Sequence, residues 1–352
     1  MTEIKKILIT GNMGYIGPSV VERLRYSYPE AVLAGIDIGY FAHCLTNVDI
    51  FPENDIDIQY FSDIRHFSNE VLADVDAIVH LSAISNDPMG NTFEKVTTAI
   101  NYRASIDLAN KAKKAGVKVF VFASSCSMYG YHEDSPRTEG SSLNPLTPYA
   151  KSKCFTENDL KKLADKTFKV TSLRFSTACG ISKRLRLDLV LNDFVASAVA
   201  SGKITILSDG KPWRPLINIQ DMALAIDWAI SRDIDCGGHF LAINVGSDVW
   251  NFQIRELAEA VSKVIPKIEI SISKDAQPDK RSYKVNFDLF KKLAPEYQPQ
   301  VDLKTTIEEL KYGLEAMNFK DKSFRDSELI RLNVLSNYLK NGMLTENLEW
   351  IR

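Results

Sequence analysis

The chain has 352 residues, and its content of 45% hydrophobic and 25% charged residues is ordinary for a globular protein with a sizeable core. Its formal net charge of −2 gives no electrostatic reason to expect nucleic acid or an anionic membrane surface as a partner. The five cysteines are scattered without a C-x-x-C pair, which predicts no disulfide framework, no metal site and a reducing, cytoplasmic setting.

Short apolar runs alternate with longer helix-like stretches through the first half of the chain. None of the runs approaches the roughly 20 residues of a membrane-spanning helix, and the first is too short for a signal peptide. The pattern predicts strands over Ile4–Ile9, Ala31–Asp37, Ala77–Leu81, Val117–Ala123 and Lys169–Leu173. It predicts helices over Tyr15–Ser27, Phe93–Ala115 and Pro148–Asp165. Such alternation predicts an α/β fold with a doubly wound parallel sheet.

The alternation becomes looser after about Phe175. There the pattern predicts helices over Leu185–Ala200 and Ile219–Ser231, and strands over Ile204–Leu207 and His239–Val245. The last helix and strand can rejoin the first sheet. We therefore expect one domain over residues 1–175, rejoined by about 216–246, and a smaller C-terminal α/β domain over 176–215 and 247–352.

A glycine-rich loop joins the first predicted strand to the first predicted helix. Its three glycines allow a tight turn, a close approach of the backbone to a pyrophosphate, and close packing of the helix on the strand. The free N–H groups and positive end of that helix would face the phosphates. Taken alone, such a loop can also be only a tight turn. The candidate dinucleotide contacts are Gly11, Asn12, Met13, Gly14, Tyr15, Ile16 and Gly17.

Asp37 supplies the context that makes the glycine loop informative. It ends the second predicted strand, 20 residues after Gly17. A carboxylate at this position can accept hydrogen bonds from both hydroxyls of an adenosine ribose, and it would repel a 2′-phosphate. Strand, loop, helix and acid together predict NAD, rather than NADP, as the cofactor. The alternative is that Asp37 only caps a loop.

Two polar segments further along are candidates for acid–base chemistry. Ser125 follows the fifth-strand run, and Tyr149 and Lys153 lie at the start of the next predicted helix. Because they are four residues apart, Tyr149 and Lys153 share one helix face. An ammonium and a nicotinamide cation beside the phenol would lower its pKa from about 10 towards the working pH. The hydroxyl of Ser125 can hold the substrate oxygen. Taken alone, Tyr-x-x-x-Lys can equally belong to a solvated helix.

These residues, in this order, resemble the extended short-chain dehydrogenase/reductase family, which includes the nucleotide-sugar epimerases and dehydratases. The resemblance extends from Ile7 to about Pro299. It implies a Rossmann domain that binds NAD, a small C-terminal domain and a nucleotide-diphosphate sugar in the cleft. It also implies a homodimer packed through the helices that hold Asn101–Ala115 and Tyr149–Leu163.

The resemblance assigns roles to residues by their position in the family's motifs. The catalytic residues that it implies are Ser125, Tyr149 and Lys153. The cofactor contacts that it adds to the glycine loop and Asp37 are Asp63, Ile64, Leu81, Ser82, Ala83, Asn101, Tyr149 and Lys153. Among them, Asp63 and Ile64 resemble the family's contact with adenine. The substrate contacts that it implies are Ser125, Thr177, Asn192, Arg214 and Arg281. The two arginines would pair with the diphosphate, for which a guanidinium is well shaped, or they are solvated loop residues.

The sequence departs from the family at several positions. The family's 4,6-dehydratases carry an Asp-Glu pair directly after the catalytic hydroxyl residue, whereas Cys126 and Ser127 stand here, so ordinary 4,6-dehydration is not expected. We expect Cys126 to pack as a small apolar residue, because one step along a strand reverses the face. Thr177 replaces the family's usual asparagine. The basic segment Ser182–Arg186 is either a contact for phosphate or a charged sugar substituent, or a solvated turn.

The leading hypothesis is an NAD-dependent nucleotide-sugar epimerase that oxidises a sugar hydroxyl transiently and returns the hydride. The alternative within the same fold is a nucleotide-sugar dehydrogenase, or a 4-ketosugar reductase or dehydratase. A third hypothesis is a non-catalytic regulator that binds nucleotide sugar, which the intact set of Ser125, Tyr149 and Lys153 disfavours. The nucleotide, the sugar and the reacting carbon stay open.

Overall fold

A computed structural model of the chain describes residues 3–132, 135–273 and 281–351. Its strands are β1 (Lys6–Thr10), β2 (Val32–Asp37), β3 (Ile58–Phe61), β4 (Ala77–His80), β5 (Val119–Ser125), β6 (Lys169–Phe175), β7 (Thr177–Cys179), β8 (Lys203–Ile206), β9 (Trp213–Asn218), β10 (Phe240–Val245), β11 (Asn251–Gln253) and β12 (Glu269–Ile272). Its helices are α1 (Gly17–Ser27), α2 (Asp87–Thr92), α3 (Glu94–Thr98), α4 (Ser105–Lys114), α5 (Pro148–Leu163), α6 (Val190–Ser201), α7 (Ile219–Ser231), α8 (Ile254–Val264), α9 (Asp288–Leu293), α10 (Leu303–Ala316) and α11 (Arg331–Lys340).

The central sheet has seven parallel strands in the order β3-β2-β1-β4-β5-β6-β10. The strands β1 and β4 are buried along almost their whole length, as expected for continuous apolar runs covered on both faces. The strand order reverses between β1 and β4, which is the point at which doubly wound sheets bind dinucleotides. The predicted doubly wound α/β fold is confirmed, and β10 rejoins the sheet beside β6.

A second layer is built mainly from the C-terminal half of the chain. There β9 lies between β7 and β11, and β12 pairs with β8. The apolar cluster that packs this layer is continuous with one face of the central sheet, since it joins Ile7 and Val79 to Phe290 and Leu310. The two-domain division of the chain stays a prediction, because one core serves both parts.

Three stretches differ from the elements predicted from the sequence. The edge strand β3 is only half-buried and therefore lacks the continuous apolar run that marks the other strands. The helix predicted over Phe93–Ala115 is interrupted by a wider π turn at Ala99–Ala104, where the hydroxyls of Ser105 and Thr156 donate to the Asn101 carbonyl. The helix predicted from Leu185 begins at Val190, because side-chain bonds hold the residues before it in an irregular loop.

The last part of the chain returns to the central sheet. Leu335 in α11, together with Leu344 and Leu348 beyond it, packs into the apolar cluster that contains Ile36 and Ile64 at the ends of β2 and β3. A bridge between Leu344 and Trp350 closes the C-terminal segment on itself. The described residues after α11 therefore pack against the edge of the sheet.

Candidate active site

A cavity of about 750 Å³ opens at the carboxyl ends of the parallel strands. One wall consists of the glycine loop, the residues that follow β2, β3, β4 and β5, and the start of α5. The opposite wall comes from the second layer, through β8, β9 and the residues near Tyr283. The cavity lies where open α/β sheets bind their ligands, and its size is typical of small-molecule and cofactor sites.

The glycine loop forms a cradle with no room for side chains at two positions. A Cβ on Gly11 would lie 2.7 Å from the Ser82 nitrogen, and one on Gly17 would lie 1.9 Å from the Asn12 carbonyl oxygen. The helix α1 begins at Gly17 without a side-chain cap, and Gly14, Ile16 and Gly17 line the cavity. An uncapped helix N-terminus beside such a cradle fits the pyrophosphate of a dinucleotide.

Asp37 lies beside the cradle at the end of β2. Its carboxylate accepts hydrogen bonds from the main-chain N–H of Gly39, at 2.8 Å, and of Met13, at 3.1 Å. Burial raises the pKa of Asp37, and these two N–H groups oppose the rise. Asp63 and Ile64, at the end of β3, line the same part of the cavity. The structure therefore brings together the three residues assigned to the adenosine.

Leu81, Ser82 and Ala83 line the cavity directly after β4. The strand end is held by the buried ring of His80, whose Nδ1 lies 2.7 Å from Thr10 Oγ1 and whose Nε2 lies 2.7 Å from Ser105 Oγ. Burial, aided by the charge of Lys153, lowers the pKa of His80 to about 3. The neutral ring thus links β1, β4 and α4 behind the cavity wall.

The three predicted catalytic side chains, Ser125, Tyr149 and Lys153, line this same cavity. Ser125 is the last residue of β5, and its Oγ accepts a hydrogen bond from the Ser127 N–H at 3.1 Å. Tyr149 and Lys153 lie one turn apart in α5. The Lys153 ammonium is buried, donates to the Ala123 carbonyl at 2.6 Å, and lies 5.6 Å from the centre of the Tyr149 ring. Chain segments 24 residues apart thus meet at one point.

Burial shifts the pKa values of both Tyr149 and Lys153. Burial raises the pKa of Tyr149 to about 12, and the hydrogen bond with Ser125 opposes only part of that rise. Burial also lowers the pKa of Lys153 to about 7. The lowering of the Tyr149 pKa that is expected from the ammonium and a nicotinamide cation together stays a prediction, because the raised value belongs to the protein alone. Desolvation is the larger effect, and the ammonium is directed at the Ala123 carbonyl.

The predicted substrate contacts Thr177, Arg214 and Arg281 line the cavity on the side of the second layer. Arg214 lies in β9 and is buried. Arg281 forms an ion pair with Asp87, with 2.5 Å between Nη1 and Oδ2. Asp87 is the first residue of α2 and also accepts a hydrogen bond from Thr147, at 2.6 Å. Arg281 therefore bridges the two walls of the cavity.

Four predicted contacts lie behind the cavity wall and do not line it: Asn12, Met13, Asn101 and Asn192. The Asn101 amide is bonded to both the N–H and the carbonyl of Ile84, at 2.8 and 3.0 Å. The Asn192 amide donates to the Tyr15 hydroxyl at 3.0 Å. Because these amides are committed to protein partners, they shape the wall and do not face a ligand.

Charged residues that the sequence did not assign to the site also line the cavity. Arg186 donates to Asp188 through Nε and Nη2, at 2.6 and 2.7 Å, and to Ser85 Oγ at 3.0 Å. Arg184 lies behind the wall, fully buried, and pairs with Glu53 at 2.7 Å. The basic segment Ser182–Arg186 is therefore not a solvated turn. The unusually basic composition of this segment was a sequence signal that could have assigned Arg186 to the site. No sequence signal of this kind pointed to Asp87.

Residues 7–246 match the model of the NAD dependent epimerase/dehydratase family, well over half of the chain. The chain belongs to this family. The resemblance to the extended short-chain dehydrogenases/reductases is thereby confirmed, and the protein is an NAD-dependent enzyme of a family that acts on nucleotide sugars.

Relatives within the family carry names of different reactions. The UDP-glucose 4-epimerase of Lactobacillus helveticus is 28% identical over 284 residues, which cover 74% of this chain and 81% of that protein. Among solved structures, the UDP-N-acetylglucosamine 4-epimerase from Methanobrevibacter ruminantium has a TM-score of 0.74 at 21% identity, covering 90% of this chain and 99% of that chain. An NAD-dependent NDP-hexosamine 5,6-dehydratase has a TM-score of 0.77 at 20% identity, covering 90% and 100%. At these identities the structural neighbours establish the fold alone.

Cys126 stands where some family members carry a carboxylate. It is fully buried, and its thiol donates to the Arg174 carbonyl at 3.1 Å. Burial raises the pKa of this thiol. It begins the turn after β5 and is turned away from the cavity, whereas Ser127 lines it. The prediction that Cys126 packs as a small apolar residue is confirmed.

Over residues 3–132, 135–273 and 281–351, no helix has the length and apolar character needed to cross a membrane. The same stretches of the chain hold no group of three or more His, Cys, Asp and Glu side chains placed to bind a metal ion.

Proposed function

We propose that this family member is a nucleotide-sugar epimerase that oxidises a sugar hydroxyl transiently and restores it with inverted configuration. The observation that carries the proposal is the convergence of Ser125, Tyr149 and Lys153 on the cavity that also contains the glycine cradle. In this proposal Arg214 and Arg281, which line the opposite wall, hold the diphosphate of the substrate.

In this proposal Tyr149 carries the proton to and from the reacting hydroxyl. Ser125, whose hydroxyl is hydrogen-bonded to Tyr149, holds the substrate oxygen beside the phenol. Lys153 is fixed by its hydrogen bond to the Ala123 carbonyl. In its charged form, the ammonium stabilises the Tyr149 phenolate. The glycine loop and Asp37 would hold NAD, which would supply the hydride acceptor and a positively charged ring. That charge opposes the burial that raises the pKa of Tyr149 in the protein alone.

The surroundings of Ser125 favour epimerisation over loss of a hydroxyl group. Elimination needs a general acid that protonates the leaving hydroxyl, and the family's 4,6-dehydratases carry an Asp-Glu pair directly after the catalytic hydroxyl residue. The residue after Ser125 is a buried cysteine, and the next is Ser127. The carboxylates of Asp87 and Asp188 do line the cavity, but each is held by an arginine. The intact catalytic group likewise supports an enzyme over a regulator without activity.

Tyr149→Phe tests the proposal directly. We expect turnover of UDP-glucose or UDP-N-acetylglucosamine to fall by about 10²–10⁴-fold, the usual contribution of general acid–base catalysis, with little change in NAD affinity. Tyr129→Phe is the matched control, because Tyr129 is buried outside the cavity and donates to Asn244 at 2.6 Å. It should lower stability and leave turnover almost unchanged.

The products distinguish the candidate reactions. An epimer identified by NMR, without net formation of reduced nicotinamide, supports the epimerase. Stoichiometric reduction of added NAD identifies a dehydrogenase instead, and loss of water from the sugar identifies a dehydratase. Near-wild-type turnover by Tyr149→Phe would remove the basis of the proposal.

We also propose a homodimer packed through α4 and α5. The ring of Phe155 in α5 is half exposed and lies 5.6 Å from the ring of Tyr102, which makes an apolar aromatic patch on this face. Phe155→Glu should convert the dimer into a monomer in light scattering after gel filtration. A wild-type protein that is already monomeric would contradict this assembly.

A further inference from the structure

Residues 343–351 form a closed segment, here termed the C-terminal strap. The main chain bonds to itself, with Ile351 donating to Met343 at 3.0 Å and Thr345 donating to Glu349 at 2.9 Å. The side chain of Leu348 is fully buried in the apolar cluster at the sheet edge. The strap is therefore a packed part of the fold and not a loose tail.

The strap is bonded to the loop that follows β2. Trp350 Nε1 donates to the Ile38 carbonyl at 2.9 Å, and the Tyr40 hydroxyl donates to the Leu348 carbonyl. The rings of Tyr40 and Trp350 also pack together, with centres 5.9 Å apart. Ile38 and Tyr40 line the cavity immediately after Asp37. The strap thus supports the adenosine end of the cavity from behind.

The strap is also bonded to the loop that follows β3, through Arg65. The guanidinium of Arg65 donates to the Asn347 carbonyl at 2.8 Å and to the Leu348 carbonyl at 3.4 Å. The same guanidinium grips the Asp63 carboxylate, with Nε at 2.9 Å and Nη2 at 2.5 Å from Oδ2. Leu348 adopts the left-handed backbone conformation, with φ of +55°, which leucine rarely does. Asp63 lines the cavity. Arg65, which the strap holds through the Asn347 carbonyl, fixes the orientation of the Asp63 carboxylate.

We propose that the C-terminal strap is a working part of the cofactor site. It fixes the loops after β2 and β3 and, through Arg65, aims the Asp63 carboxylate at the exocyclic amino group of adenine. Three N–H groups of Arg65 bind the Asp63 carboxylate: the main-chain N–H at 2.8 Å from Oδ1, and those of Nε and Nη2. A carboxylate has about four acceptor positions, so one remains for a further donor. Arg65 and Trp350 are positioning residues, since neither lines the cavity. This inference rests on the placement of NAD in the proposed function, but not on the sugar or on the reaction.

The test compares NAD with nicotinamide hypoxanthine dinucleotide, which carries a carbonyl in place of the amino group. Dissociation constants are measured by calorimetry on the full chain without sugar. We expect the wild type to prefer NAD by about tenfold or more, the worth of a hydrogen bond to a charged acceptor. Arg65→Met and Trp350→Phe should lose most of this preference by weakening NAD alone. Trp350→Phe removes the donor to Ile38 and keeps an aromatic ring against Tyr40 and Tyr338, which guards against a variant that fails to fold.

Arg25→Met is the matched control, because Arg25 pairs with Asp57 at 2.6 Å at the opposite end of the same strands. It should keep the wild-type preference. If Arg65→Met and Trp350→Phe weaken the binding of both dinucleotides equally, the strap only stabilises the fold, and the inference is overturned. A wild type without any preference would overturn it as well. Absence of epimerase activity would leave these binding results intact and count only against the proposed function.

Discussion

Gly11→Ala tests the cradle in which the pyrophosphate is expected to lie. The new Cβ would lie 2.7 Å from the Ser82 nitrogen and 2.9 Å from its Cα, and both are main-chain atoms. Relieving the contact to an ordinary 3.4 Å needs a shift of about 0.7 Å. Such a shift takes a hydrogen bond out of its normal length range, so we expect NAD affinity to fall about tenfold or more. The φ of +74° adds about 1–2 kcal/mol of lost stability for an alanine.

Gly116→Ala separates the two effects. Gly116 has φ of +90°, but a Cβ there would have nothing within 4 Å. Gly116→Ala should therefore lose about 1–2 kcal/mol of unfolding free energy in urea titrations, and Gly11→Ala should lose more, because its Cβ also meets main-chain atoms. Only Gly11→Ala should weaken NAD binding in calorimetry. An unchanged NAD affinity in Gly11→Ala would refute the cradle as the pyrophosphate site. An equal loss of NAD affinity in both variants would refute it as well.

Three further predictions follow from the same wall of the cavity. Asp37→Ala should narrow the preference for NAD over NADP, and a wild type that binds both equally would contradict the role of Asp37. Cys126→Ala should keep kcat within a few-fold, since its thiol faces the Arg174 carbonyl; a hundredfold fall would oppose this. Because burial lowers the pKa of His80 from 6.5 to about 3, the unfolded chain holds the extra proton between these values. The free energy of unfolding should therefore decrease as the pH is lowered from about 6.5 to about 3, by up to about 1.4 kcal/mol per pH unit. His80→Gln should flatten this slope in urea titrations at successive pH values.

The cofactor half of the site could be predicted from the sequence because its signals are local. A strand, a glycine loop and a helix follow one another without a break, and Asp37 ends the next strand. Tyr149 and Lys153 are likewise within one helix turn. The family resemblance also assigned distant residues such as Ser125 and Arg214 to the same site, although no rule of sequence spacing connects them.

The rest depended on contacts between distant parts of the chain. Asp87 is held in the site by Arg281 and Thr147, which are 194 and 60 residues away in sequence. The amide of Asn192 could bind a substrate hydroxyl, but it is hydrogen-bonded to the Tyr15 hydroxyl instead. The pKa of Tyr149 depends on how deeply the fold buries it, which helix spacing does not specify.

The continuous core has a consequence for recombining this protein with its relatives. Residues from β1 and from α10 share one apolar cluster, so neither half of the chain closes its own hydrophobic surface. A chimera joined near residue 175 would have to match side-chain volumes across the whole seam, because interiors at crystal-like density tolerate few misfits. New substrate preferences are therefore more accessible through exchanges of single loops at the cavity rim than through exchange of the C-terminal half.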